Sequence, residues 1–222
     1  MSDDPLRLVF GGHRPGLACV YAPKGVAVHC AFSALKQMKP SAWESNLVVL
    51  AADFADDELA EGFASHPDIQ RLVATSGLAD LNKAVTYAAG GVVVLDSITA
   101  FEAVAGITRH TPQLFRDLRA VRDEARRAGT MVISCGTYDL GRRRTVGSQA
   151  WAAVAGDHLV LSPRDSLLGR YRIDSMSFRG MSTTCEAARR GIDVWIDDSS
   201  VVPMPVDPSP DAARSGPFLL GD

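Results

Sequence analysis

"GVVVLDS", residues 91–97, is the most apolar run in the chain, and it closes on an aspartate. Four consecutive apolar residues, three of them valine, describe a strand covered on both faces, which is the habit of parallel sheets. Runs of the same kind recur on either side: "GLACVYA" (16–22), "NLVVLAAD" (46–53), "QRLVAT" (70–75) and "TMVISCG" (130–136). Helical patterns separate them. "AVHCAFSALKQM" (27–38) is Ala-rich, and "DDELAEGFA" (56–64) starts on acids suited to a helix N-terminus. Ser76 is placed to cap "GLADLNKAVTYAAG" (77–90), which stops at Gly90. "TPQLFRDLRAVRDEARRAG" (111–129) sets Leu114, Leu118, Val121 and Ala125 on one face and Arg, Asp and Glu on the other. This alternation predicts an α/β fold with a doubly wound, mostly parallel sheet.

After residue 140 the rhythm changes. "DHLVLSP" (157–163), "GRYRIDSMSF" (169–178), "TTCEAA" (183–188) and "IDVWID" (192–197) are short and strand-like, with turn residues such as Arg190-Gly191 between them. They predict antiparallel hairpins that extend the sheet. Residues 1–200 read as a single domain, and the Pro-rich segment 201–222 reads as a flexible tail.

A chain of 222 residues is long enough to bury a proper core. The net charge of −3 excludes a molecule coated in positive field, so any nucleic-acid contact must be local. The charge is uneven: residues 142–190 hold nine Arg against four acids, and all four Lys lie before residue 84. Cys19, Cys30, Cys135 and Cys185 form no C-x-x-C pair and have no paired His, which argues for reduced thiols rather than a structural zinc site. The acidic start "MSDDPLRLVF" has no basic region ahead of an apolar run, and no stretch approaches membrane-spanning length. A cytoplasmic protein is expected.

"YAPKGVAVHC" (21–30) follows the first strand and opens the first helix, where a phosphate-binding loop belongs. In G-x-x-x-x-G-K-[ST] the glycines let backbone N–H groups curl round the phosphates, the Lys meets the β and γ oxygens, and the hydroxyl holds magnesium. Ala22, Ala27, Val28 and His29 occupy those four positions, and all four differ from the template. Pro23, Lys24, Gly25 and Val26 complete the candidate nucleotide-binding segment. Lys24 either swings its amine toward a phosphate or stays solvated; His29 either contacts phosphate as an imidazolium or packs structurally.

Further landmarks fall in order. "VVVLDS" (92–97) looks like a Walker B strand whose Asp96 would hold magnesium through water. Asp53 ends the strand of "VVLAADF" (48–54). "TMVISCGTYD" (130–139) and "RRRTVGSQAWAAVAGDHLVLSP" (142–163) look like the next strand and the loop, small-residue helix and strand after it. "YRIDSMSFRG" (171–180) ends near Arg179. Together they resemble the RecA-like P-loop ATPases, most closely the plasmid RepA-type and DnaB-type hexameric helicase domains, over roughly residues 8–198. The resemblance implies a RecA-like fold, packing of subunits against one another and a role in a DNA transaction. It places Asp53 where relatives carry the Glu that activates water, and Arg179 in the finger pair donated across an interface, with Ser177 in place of its Lys. Asp96 and Arg179 keep the family's chemistry; Val28, His29 and Asp53 depart from it.

Phosphoryl transfer is mostly positioning and charge stabilisation, and one transition-state donor is worth roughly 10³–10⁵ in rate. Val28 removes a cation and turns an apolar group toward phosphate oxygens. Asp53 is a methylene shorter than Glu, and a displacement of about 1 Å can cost on the order of 100-fold. The leading expectation is therefore a degenerate protein that binds DNA or a partner ATPase in replication or repair without effective hydrolysis. An active ATPase using ATP, magnesium and Lys24 is the second reading, and a scaffold using neither nucleotide nor DNA the third. "GRRRTVG" (141–147) falls where RecA-like rings line their pore, so Arg142, Arg143 and Arg144 are the candidate DNA contacts, against the alternative of a solvated basic loop. Trp151 is either a stacking face near that loop or a core residue.

Overall fold

The apolar run at 92–96 is a strand buried along its whole length, and the sheet is built around it. The computed structural model describes residues 13–23, 26–37, 46–51, 70–73, 77–107, 111–139, 141–142, 144–147, 150–165, 170–177, 193–196 and 201–203. In chain order the first elements are β1 (Gly16–Ala22), α1 (Val26–Gln37), β2 (Leu47–Ala51), β3 (Gln70–Val73), α2 (Leu78–Tyr87), β4 (Val92–Asp96), α3 (Ile98–Val104) and α4 (Pro112–Ala128). Then come β5 (Met131–Asp139), β6 (Arg144–Val146), α5 (Ala150–Val154), β7 (Asp157–Asp165), β8 (Arg170–Ser177), β9 (Asp193–Ile196) and β10 (Val201–Pro203). The expected helix at 56–64 and the strand-like stretch at 183–188 lie outside the described residues.

The strands join in the order β10-β9-β8-β7-β1-β5-β4-β2-β3, with β6 paired to β5. From β7 to β3 the neighbours are parallel. From β7 out to β10 they are antiparallel. Strand β10 takes Val201–Pro203, the first residues of the Pro-rich segment, into the sheet.

Winding follows from handedness. The steps from β1 to β2 to β3 run one way along the sheet, and those from β3 to β4, β5 and β7 run back. Right-handed crossovers then send α1 to one face and α2 to α5 to the other. The packing agrees. Leu17, Cys19 and Tyr21 of β1 join Val48, Leu50, Val93, Leu95 and the inner faces of α2 to α5 in one core cluster. The alternate β1 residues, Ala18, Val20 and Ala22, serve the face covered by α1, whose Ala27, Cys30, Ala31 and Leu35 are buried. A strand two-sided in this way has no polar position to offer, which is why the sequence runs are continuous rather than alternating.

Helix α4 has the buried set read from the sequence, Leu114, Leu118, Val121 and Ala125. Thr111 caps its start by accepting from the Leu114 N–H at 3.2 Å, worth about 1 kcal/mol, and Gly129 closes its end at φ +70°. The cap of α2 differs from expectation. The N-cap position is Gly77 and carries no side-chain bond; Ser76 lies outside the described residues. Its φ is +65°, and a Cβ there would stand 2.6 Å from that of Ala105, so close approach to the end of α3 decides the residue. At the other end of α2, the buried Thr130 hydroxyl reaches the carbonyls of Val85 and Ala88 at 3.0 and 3.1 Å, meeting last-turn acceptors that the helix leaves open. Strand β5 runs to Asp139 rather than ending at Gly136, because β6 folds back and pairs with its last three residues.

Two outcomes test this packing. A Cβ at Gly136 would overlap the Tyr21 ring on the neighbouring strand, so Gly136→Ala should lower unfolding free energy by about 1–3 kcal/mol in urea titrations. Burial holds the His158 imidazole below its ordinary 6.5, with Asp157 pulling weakly the other way. The unfolded chain therefore takes up the proton first, and stability should fall as pH drops below 6.5. His158→Gln should flatten that acid limb in denaturation midpoints measured across pH.

Candidate nucleotide site and arginine ribbon

Parallel strands bring their C-terminal ends to one rim, and ligands of open α/β sheets bind there, where the winding reverses. Here the reversal is at β1, since α1 leaves it for one face while the β5-to-β7 connection crosses the other. The register lines up the candidate residues. Ala22 stands opposite Thr137 of β5, and Asp96 of β4 stands opposite Cys135, which in turn faces Val20. One strand separates Asp96 from β1, so the two backbones are about 10 Å apart. On its other side Asp96 pairs with Ala51 at the end of β2. Asp53, two positions further on, lies outside the described residues, as do Lys24, Gly25, Arg143 and Arg179.

At β1 the connection is brief. Three residues, 23–25, separate Ala22 from Val26, the first residue of α1. The Val26 N–H donates to the Pro23 carbonyl at 3.0 Å, so this amide is already committed to a turn. The methyl groups of Ala22 and Ala27, at the two glycine positions of the template, are buried. Pro23, Val26 and Val28 are half-buried; His29 belongs to α1 and its side chain is not described. Asp96 is 7% exposed at the tip of its strand. Beneath it the Cys135 thiol is pushed up, first by burial and then by Asp96, Cys30 and Cys19, and burial likewise raises Cys19. None of Cys19, Cys30 and Cys135 is in a disulfide. Among the described residues no group of three or more His, Cys, Asp or Glu could hold a metal ion.

The arginine segment is a hairpin rather than a loop. β5 passes the end of β4, and β6 returns beside it with Thr137 opposite Val146, Tyr138 opposite Thr145 and Asp139 opposite Arg144. At the turn, the Arg142 N–H donates to Asp139 Oδ1 at 3.1 Å, and the Arg142 guanidinium lies 3.7 Å from Oδ2. Arg142 is 70% exposed and Asp139 only 30%. An ion pair this open is worth about 0–1 kcal/mol, so Arg142 keeps its reach toward another anion. Arg144 belongs to β6, and its side chain is not described.

At the ribbon's base sits a group that sequence reading missed. Glu102 of α3 is 7% exposed, and its Oε1 accepts from the Trp151 indole N–H at 3.0 Å. Gly147, just past β6, has φ +92°, and a Cβ there would lie 3.1 Å from Glu102 Oε2. Trp151 is fully buried, its ring edge-on to Phe101 at 5.8 Å, so it is a core residue and no stacking platform. Tyr21 completes the group: burial raises its hydroxyl, Cys19 and Glu102 add to that, and the backbone of Ala152 bonds to it. The signal available beforehand was one acid inside the otherwise uncharged stretch "SITAFEAVAGI" (97–107).

No protein-family model matches the chain, and no curated protein sequence does. Solved structures do. The RadB recombinase aligns with a TM-score of 0.58 over 90% of this chain and 97% of that one, at 15% sequence identity. A KaiC-like protein from the hyperthermophilic archaeon Pyrococcus horikoshii OT3 gives 0.57 over 86% and 89%, at 13% identity. The fold is RecA-like. In this RecA-like sheet the strands expected to carry the phosphate loop, Asp96 and the arginine segment end on one rim, with β5 between the other two. No described helix is long and apolar enough to cross a membrane.

Burial of the thiols has a direct readout. With Cys185 replaced by serine, the folded protein should leave Cys19, Cys30 and Cys135 unlabelled by a thiol reagent at mildly alkaline pH, and the unfolded chain should react at all three. A fast-reacting thiol in the folded protein would contradict the packing around Asp96.

Proposed function

We propose that this RecA-like chain acts in a DNA transaction, replication or repair, by binding DNA or a partner ATPase through its arginine ribbon, and that it does not turn over ATP effectively. The observation that supports this reading is a contrast on one rim. The ribbon holds Arg142 outward, while the third residue of α1, where a triphosphate needs its counter-charge, is the half-buried Val28.

The first turn of α1 still offers a partial positive charge, about half a unit, with no acid in that turn to oppose it. That suits one anionic oxygen better than a triphosphate. Buried methyl groups of Ala22 and Ala27 stand at the two glycine positions of the template, and the Val26 amide is spent on Pro23. These residues do not fit ATP with magnesium, although Asp96 alone has the chemistry to hold magnesium through water. Asp53 and Arg179 are proposed as vestigial, or in the case of Arg179 as serving a neighbouring RecA-like subunit in a homo- or hetero-oligomer. The chain is proposed to work in the cytoplasm as one domain, residues 1–200 together with β10 at Val201–Pro203, followed by a tail.

On a nucleic acid each phosphate neutralised releases counterion, with a slope of about 0.9 per contact on duplex and about 0.7 on single strands. Replacing Arg142, Arg143 and Arg144 together by alanine should lower the log–log salt slope of DNA binding by about 2–3 and weaken affinity at least tenfold, measured by fluorescence anisotropy. An unchanged slope would remove the ribbon from the interface. ATP hydrolysis by the purified protein should stay at the background rate. Brisk turnover that Asp96→Asn abolishes would establish an active ATPase instead.

A further inference from the structure

Arg142 and Arg144 stand at the turn end of the ribbon, but what fixes that end in space lies at its base. Between β6 and β7 the chain makes only Gly147, two further residues, the short helix α5, and then Ala155 and Gly156. Two neighbours of the candidate site grip that helix at adjacent residues. Tyr21, beside Ala22 on β1, takes a bond from the Ala152 backbone, one of the first-turn amides that a helix cannot satisfy itself. Glu102, six residues after Asp96 and carried by α3, takes the bond from the Trp151 indole. Helix α3 is itself seated directly on β4, with Ser97 capping it by accepting from the Ala100 N–H at 3.3 Å.

We propose that Glu102 is a positioning residue for the arginine ribbon: its buried carboxylate, bonded to Trp151 through Oε1 and set against Gly147 on the Oε2 side, fixes the angle at which β6 leaves the sheet. This rests on the reading of the ribbon as the DNA-contacting element. A carboxylate is a costly group to bury, and an apolar side chain would fill the same space at less cost. What the carboxyl group supplies is a hydrogen-bond acceptor aimed at the Trp151 indole N–H, which an apolar side chain would leave unsatisfied. The φ of +92° at Gly147 lets the chain turn within touching distance of that oxygen, which a side chain at 147 would forbid. A ribbon of three residue pairs, about 10 Å long, holds the exposed Arg142 at its turn against a nucleic-acid backbone only if the base does not swing.

Glu102→Ala, Glu102→Gln and Gly147→Ala test this, read by amide hydrogen exchange over residues 137–146 and by the salt slope of binding to a labelled 20-nucleotide single strand. In Glu102→Ala and Gly147→Ala the ribbon amides should exchange at least tenfold faster while those of α4 keep their wild-type protection. Affinity should fall about tenfold and the slope by about one contact's worth, some 0.7. Glu102→Gln keeps an acceptor for the indole and should restore both. Wild-type exchange and slope in the Ala variants overturn the proposal, as does equal loosening of α4 or failure of Gln to rescue. Should Glu102→Ala not fold, Gly147→Ala reads the same contact from the surface side. If the wild-type protein has no affinity for DNA, the functional reading falls, and the exchange data alone still decide the role of Glu102.

Discussion

Parallel pairing of β1 with β5 on one side and β7 on the other is the constraint on which the rest of the molecule depends. Parallel neighbours cannot be joined by tight turns, so every link must cross a face of the sheet and carry a covering element with it. That requirement buries β1 and β4 along their length. It also delivers Ala22, Asp96 and the run-out of β5 to the same rim. The candidate site is thus a product of topology before it is a product of chemistry, and it survives in position even where its residues have changed.

The architecture was legible because fully buried strands write themselves as continuous apolar runs; "VVVLDS" and "GLACVYA" need no partner to be read. Helix α4 was legible for the complementary reason, a single apolar stripe on a charged cylinder. What escaped was decided by contacts distant in sequence. Gly77 displaces Ser76 as the cap of α2 because the chain there touches Ala105, nearly thirty residues away. The strand pairing of Arg144–Val146 depends on β5 continuing beyond its apolar core into "TYD", and no apolar run in 144–146 announces it. Glu102 gave no periodic signal, since a lone acid in a seven-residue helix looks like a surface position until Trp151 is folded onto it. The candidate phosphate-loop segment was read from its strand-and-helix context alone, since Ala22, Ala27, Val28 and His29 all differ from the template.

Chemistry at the rim is correspondingly divided. On the β1 side the described side chains, Ala22, Pro23, Val26, Ala27 and Val28, are small or aliphatic, and the start of α1 adds the partial positive charge of its backbone. On the β5 side a guanidinium is held out by a turn whose aspartate orients it without neutralising its reach. Between them Asp96 is a nearly buried carboxylate, above thiols too well covered to ionise readily. Such a rim is arranged to present cations outward rather than to enclose an anion.

At the far border of the sheet, β10 ends on Pro203, opposite Val194 of β9. A proline has no amide hydrogen, and on the outermost described strand its place in the ladder offers one donor fewer to any incoming strand. Lateral growth of the sheet by annealing a second molecule's edge is discouraged along this margin.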